Sequence, residues 1–289
     1  MKIFIVCLAM YLIICPYAEA QNKLPEIYLS HMFIVLDSIT YRHLFDSAFI
    51  KEQLGTTRTD SVTTSEESWF GKYLNGRNGY FEFFPPNGFK DATVGNIGFG
   101  FMTYTSGDIW KIKNNRVVND NDTLKADTTN YVSKGVSYPW YYAIYISDKD
   151  SAPPLSLWIM ENTPELLKEI GFSDEELKSK ITWQDYIEKQ SKKKSDQSFN
   201  RISSVELSVN KEEYEYLKKS LLSFGFKQKD NFFYTDDMQI TYNISLNPAM
   251  RVKTIETELT AQFPMRVIKI SDKLTLQVKG NKAVWKFEN

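Results

Sequence analysis

Thiol chemistry is scarce in this 289-residue sequence. It has two cysteines, Cys7 and Cys15, both within the first fifteen residues. If that segment is removed, no thiol is left for a disulfide, a cysteine nucleophile or a thiolate metal site. Histidine is equally rare, with only His31 and His43. A Ser-His-Asp triad would have to use one of them, and no G-x-S-x-G elbow is present. Charge of one sign is also missing. A formal net charge of -1 gives no general attraction to nucleic acid or an anionic membrane. After the N-terminal segment no apolar run is long enough to span a bilayer as a helix.

The first twenty residues read as a targeting segment. Lys2 supplies a positive charge, Ile3 to Ile14 form a short apolar run, and Ala18-Glu19-Ala20 fits the small-x-small cleavage rule. This predicts a mature chain that begins at Gln21 and is secreted or periplasmic. The alternative is a lipoprotein anchored at Cys15. Bulky Ile14 stands before that cysteine, which favours simple secretion.

Aromatic residues make up 15% of the chain, which suits a strand-rich core. Ile27 to Leu36 is apolar at nearly every position and predicts a strand covered on both faces. Asp37 or Ser38 can cap a following helix, whose stripe is Tyr41, Leu44, Phe45, Ala48 and Phe49, with Gly55 as its stop. Strands are expected at Thr56–Thr64, Ser68–Leu74 and Tyr80–Phe84, with Asn75-Gly76 as a turn. The order β-α-β-β-β then recurs. Strand Asn96–Thr105 precedes a short helix over Ser106–Lys113 and strands at Thr128–Val132, Trp140–Ile146 and Leu155–Met160. Helices follow, framed by Thr163, Pro164 and Gly171, and by a capping box at Ser173 and Glu176. The polar run Lys189 to Asn200 reads as a solvated linker.

A third unit opens with strand Val205–Val209. Asn210 and Glu213 start a helix with stripe Tyr214, Leu217, Leu221 and Phe224, ended by Gly225. A hairpin is expected around Asp236-Asp237. The spacing of Val252, Ile255, Leu259 and Phe263 predicts one more helix, and three short strands with a Gly280-Asn281 turn finish the chain. The expected organisation is a segment 1–20, a paired-module domain 21–190, a linker 191–200 and an α+β unit 201–289.

Two histidines leave little choice of functional imidazole. His43 falls off its helix stripe and should face water. His31 is either a packed strand histidine or a functional group. Glu82, between Phe81 and Phe83, costs desolvation unless it is paired. Its structural reading is an ion pair with Arg77 or Lys72. Its functional reading is a metal ligand or general base. If His31 and Glu82 share a face, Phe33, Tyr80 and Phe84 join them as an aromatic wall. Gly95, Gly98 and Gly100 have the wrong spacing for a phosphate loop and predict close packing over a strand. Trp140-Tyr141-Tyr142 could stack on a sugar or aromatic ligand, with core packing as the default reading.

The strand HMFIVLDS at His31, the segment WFGKYLNGRNGYFEFFPP from Trp69 to Pro86, and VGNIGFGF after it resemble the vicinal-oxygen-chelate superfamily. That group includes glyoxalase I, bleomycin-resistance proteins and extradiol dioxygenases. The resemblance covers Ile27 to about Met160 and looks closest to an exported branch of the group. It implies a fold of paired β-α-β-β-β modules forming a cupped mixed sheet, with a C-terminal α+β unit. It also implies one divalent metal held by His31 and Glu82, with Asn96 on the matching strand of the second module. Trp158 stands near the expected second glutamate and Glu161 lies beyond it.

Three functions follow as expectations. The favoured one is a binder of a small organic ligand in a cup lined by Phe33, Tyr80, Phe84 and Trp158. The second is a metal-dependent lyase, isomerase or dioxygenase in which Glu82 moves a proton. The third is a protein-interaction module whose cup is only structural.

Overall fold

The computed structural model describes residues 24–114, 124–146, 154–191, 197–246 and 248–288. The expected targeting segment with Cys7 and Cys15 lies outside them, as does part of the expected linker. The first module is β1 (Ile27–Val35), α1 (Ser38–His43), a π-helical turn (Ile50–Leu54), β2 (Thr56–Thr63), β3 (Ser68–Asn75) and β4 (Tyr80–Phe84). The second is β5 (Ile97–Thr103), α2 (Asp108–Asn114), β6 (Leu124–Ser133), β7 (Val136–Ile146) and β8 (Leu155–Asn162). Their strands form one sheet in the order β2-β3-β4-β1-β5-β8-β7-β6. In each module the first strand runs parallel to the fourth, and β1 meets β5 antiparallel at the centre. The sheet is therefore mixed and built from two like halves, as the repeated β-α-β-β-β order predicts.

The sheet curls until its edges touch. Thr64 bridges Tyr131, the Ser65 amide donates to the Asn130 carbonyl at 3.2 Å, and Trp69 stacks on Trp140 with centroids 6.5 Å apart. The result is a cup. A further segment returns over it, made of α3 (Pro164–Glu169), a 3-10 turn (Glu176–Lys178) and α4 (Trp183–Ser191). Thr163 caps α3, with Pro164 in its first turn, and Gly171 follows in the left-handed region at φ 107°. Ser173 and Glu176 make the reciprocal bonds of a capping box, but a 3-10 turn rather than a longer helix follows.

The third unit covers the outer face of the sheet. Its elements are β9 (Phe199–Val209), α5 (Lys211–Ser223), β10 (Lys227–Lys229), β11 (Phe232–Tyr234), β12 (Gln239–Ile244), β13 (Val252–Lys269) and β14 (Leu274–Phe287). They form a sheet ordered β10-β11-β12-β9-β13-β14, with β9 parallel to β12. This is a third β-α-β-β-β module, in which β13 stands beside β9 as β5 stands beside β1. Asn210 and Glu213 form the capping box of α5. Trp285 packs on Phe81 and Phe83 at 5.6 and 6.0 Å, Phe199 stacks on Phe81, and Phe224 and Phe226 meet Phe101. One apolar core thus runs through both sheets. It also explains why β1 is buried along nearly its whole length: one face lines the cup and the other meets this core. Trp285→Ala is expected to cost about 3–5 kcal/mol in urea denaturation. Trp285→Phe should cost far less, because the indole N–H is buried without a partner. Equal losses would show that the ring does not carry the contact.

Four expectations need correction. The stripe from Tyr41 to Phe49 is not one helix. It breaks near Asp46, whose amide bonds the His43 carbonyl and whose carboxylate takes the His43 ring at 2.7 Å. The predicted helix over Val252–Phe263 is the long strand β13. Register shifts at Val252/Thr254 and Glu256/Thr257 stretch a two-residue alternation into a spacing that imitates a helix. Gly280-Asn281 is not a turn. Gly280, at φ 62°, lies opposite Phe263 at a register shift inside β14. The linker is shorter than expected, since α4 runs to Ser191 and β9 begins at Phe199. Among the described residues, no helix is long and apolar enough to cross a membrane.

Candidate functional site

Alternation along β1 and β4 turns His31, Phe33 and Val35, and Tyr80, Glu82 and Phe84, toward the cup. In register, His31 lies beside Tyr80 and Phe33 beside Glu82. His31 and Glu82 are diagonal neighbours on adjacent strands, about 7 Å apart along the backbone.

The two groups have different characters. The His31 ring stacks on Tyr80 at 4.8 Å, meets the edge of Trp158 at 5.4 Å and is 5% exposed. Its Nδ1 is buried without a hydrogen-bond partner, and burial pulls the imidazole down to a pKa of about 3. It is a neutral packing ring at physiological pH. Gly100 makes its place, since a Cβ there would sit 2.3 Å from His31 Cε1. Gly98 does the same for Phe33, 2.2 Å from the corresponding position. The glycines of β5 therefore let rings from neighbouring strands lie across it.

Glu82 is partly buried, and desolvation raises its pKa to about 7. The nearby Arg58 charge and a hydrogen bond with Tyr80 offset only part of that rise. The expected ion-pair partners are elsewhere. Arg77 donates to the Gln197 carbonyl, and the Lys72 ammonium to the carbonyls of Tyr41 and Arg42. One row of cross-strand neighbours instead runs Arg58, Tyr73, Glu82, Phe33. The Arg58 guanidinium lies 4.4 Å over the Tyr73 ring and reaches Asp60 at 3.2 Å. The Tyr73 hydroxyl accepts from Trp69 Nε1 at 3.1 Å.

Across the cup, Tyr141 of β7 lies within electrostatic range of Glu82. From α4, Trp183 stacks on Tyr80 at 4.6 Å and Tyr186 on Trp183 at 5.5 Å. Tyr142 packs instead with Trp110 of α2. The Trp140-Tyr141-Tyr142 cluster is thus split, with Tyr141 and Trp140 on the cup side.

The donor set does not fit the divalent metal implied by the resemblance. The residue opposite His31 is Gly100, not Asn96. Asn96 lies four residues further along, about 13 Å by strand rise, and its side-chain oxygen accepts from the Thr93 hydroxyl at 2.8 Å. Trp158 reaches the cup as a ring contacting His31 and Phe33. Glu161 points to the other face. It accepts from the Thr103 hydroxyl at 2.8 Å and from the amides of Gly107 and Ile109 at 2.6 and 3.0 Å, at the start of α2. Among the described residues, no three His, Cys, Asp or Glu side chains come together to hold a metal. His43 is exposed and paired with Asp46, as its position off the helix stripe predicts.

Sequence reading missed Arg58, Tyr73, Trp183 and Tyr186, and gave Tyr141 core packing as its default. The first two were accessible by counting. A hairpin closing at Asn75 and Tyr80 pairs Tyr73 with Glu82, and one closing at Thr63 and Ser68 pairs Arg58 with Tyr73. The others depend on curl and on the returning helix, which leave no local signal.

A model of a family of unknown function (DUF5829) matches residues 29–287. Among solved structures, the chain is similar to the crystal structure of a hypothetical protein from Staphylococcus aureus. The two share 11% identity over 85% of this chain and 96% of that one, with a TM-score of 0.50. That likeness bears on the fold alone. No curated protein matches the chain.

Proposed function

Given that this chain belongs to the DUF5829 family, we propose that it is an exported binding protein holding a small organic ligand in its aromatic cup. The carrying observation is the Glu82 carboxyl on the concave face, beside Phe33 and between Tyr80 and Phe84 on its own strand, where burial pushes its pKa up to about 7. The ring faces offer a site for an apolar or aromatic body, each well-placed pair contributing about 0.5–1.5 kcal/mol beyond area burial. Glu82 would orient the polar end. The strand order and the central β1–β5 pairing support placing the chain on the paired-module plan of the vicinal-oxygen-chelate superfamily, with a ring wall in place of a converging metal set. The leader pattern through Ala20 supports export, so N-terminal sequencing of the secreted chain should start at Gln21.

Thermal-shift screening of the mature chain with small aromatic compounds tests the binding reading. The expected result is saturable stabilisation by at least one compound, weakened about tenfold or more by Trp158→Ala or Phe84→Ala. Binding indifferent to both substitutions would remove the cup from consideration. Metal content should be well below stoichiometric, and a chelator should leave the melting temperature unchanged.

A further inference from the structure

We propose that the cup selects an organic cation, an amine or quaternary ammonium on an aromatic or alkyl body, with Glu82 as its counter-charge and Phe33 and Tyr141 as its walls. This rests on the binding reading above and adds the charge of the ligand.

Glu82 is the only charged side chain among the cup-facing positions of the four central strands, all of them described residues, which are otherwise aromatic, aliphatic, methionine, glycine, serine, Asn162 or neutral His31. Its nearest cation is committed elsewhere, since Arg58 lies on Tyr73 and pairs with Asp60. The carboxyl thus sits beside the Phe33 and Tyr141 rings, and among the described residues no cation is bonded to it. Aromatic faces carry negative potential, so they favour a cation and disfavour an anion. The rim has the same sign. Glu66 and Glu67 act on Tyr141, and Asp127 takes the Tyr145 hydroxyl. Against them stand Arg58 and Lys90, the latter acting on Glu67. An anionic ligand would have to free Arg58 from its two partners and meet Glu82 in its protonated form.

The group that titrates is Glu82. It is faced by Arg58 from β2, Tyr73 from β3, Tyr80 on its own strand and Tyr141 from β7. Of these only Glu82 changes charge near neutrality, since burial raises all three tyrosines. A cation favours the ionised carboxylate, so its affinity should rise with pH through about 7 and a proton should leave on binding.

The test is calorimetric titration of the mature chain with benzyltrimethylammonium, benzyl alcohol and phenylacetate. At pH 8 the cation should bind about tenfold tighter than either of the others. Between pH 8 and pH 6 its affinity should fall by close to tenfold, roughly the change in ionised fraction of a group titrating near 7, while that of benzyl alcohol stays constant. Glu82→Gln should abolish the preference and keep weak neutral binding. Should that variant fail to fold, the wild-type pH profile decides alone. Phenylacetate or benzyl alcohol binding as well as the cation would overturn the charge assignment and leave the cup as a binding site. Failure of all three probes would overturn both readings.

Discussion

Gly100→Ala is expected to destabilise the chain by about 3 kcal/mol, at the upper end for overpacking a core, and His31→Ala in the same chain should recover much of that loss. The added methyl would sit 2.3 Å from His31 Cε1 and 2.7 and 2.8 Å from its ring nitrogens. The ring cannot swing clear, because Tyr80 stacks on it and the edge of Trp158 abuts it. Removing the ring alone also costs stability through the cavity it leaves, but it discards a buried Nδ1 that has no partner. The two losses should therefore fail to add, with a coupling of about 1–2 kcal/mol in urea denaturation of the single and double variants. Additivity to within about 0.5 kcal/mol would mean that the glycine serves some other end.

The same pair shows where sequence ends and tertiary structure begins. The bounds of β4 follow from an aromatic run, broken only by Glu82 and closed by Pro85-Pro86. The caps of α3 and α5 follow from Thr163-Pro164 and from Asn210 with Glu213. These are local effects, written where they act. Parity groups His31 with Phe33, and Glu82 with Tyr80 and Phe84, and the β1–β4 register then puts the two sets on a common face. What they face is not local. Asn96 was placed by its position at the head of β5, whereas the crossing point is fixed by the antiparallel register of β1 and β5, which sets Gly100 against His31. β13 was misread for a similar reason. Its bulges answer the pairing with β9 and β14, and without those partners its apolar residues fall at helical spacing. Tyr141 and Trp183 enter the site only because the sheet curls and α4 comes back over it.

His31 and Glu82 should also leave opposite marks on stability as pH changes. The His31 imidazole titrates near 3 in the fold against 6.5 when free. Below 6.5 the unfolded chain therefore binds a proton that the folded chain refuses, so this contribution is intact above pH 6.5 and lost on acidification toward 3. The slope is about 1.4 kcal/mol per pH unit, with an upper limit of about 4–5 kcal/mol. Glu82 is the mirror case, with about 7 in the fold against 4.5 when free. Between those values the folded chain keeps a proton that the unfolded chain releases, so stability falls as pH rises from 4.5 to 7. Because Glu82 is partly open to water, this is discounted to about 2 kcal/mol. From pH 4.5 to 6.5 the two slopes run against each other and partly cancel, which predicts a shallow rise of about 1 kcal/mol for these two groups in the wild type. Glu82→Gln should remove the falling arm, so that its stability relative to wild type is greater at pH 8 than at pH 4 by about 2 kcal/mol. His31→Phe keeps a ring over Gly100 without a titrating group and should remove the rising arm, narrowing the loss between pH 6.5 and pH 4 by up to about 3 kcal/mol. Urea denaturation of the three chains at pH 4, 5.5, 6.5 and 8 separates the arms. If the Glu82→Gln profile runs parallel to the wild type throughout, the carboxyl titrates as an ordinary solvated group, and the cup does not hold it in the environment from which its binding role is argued.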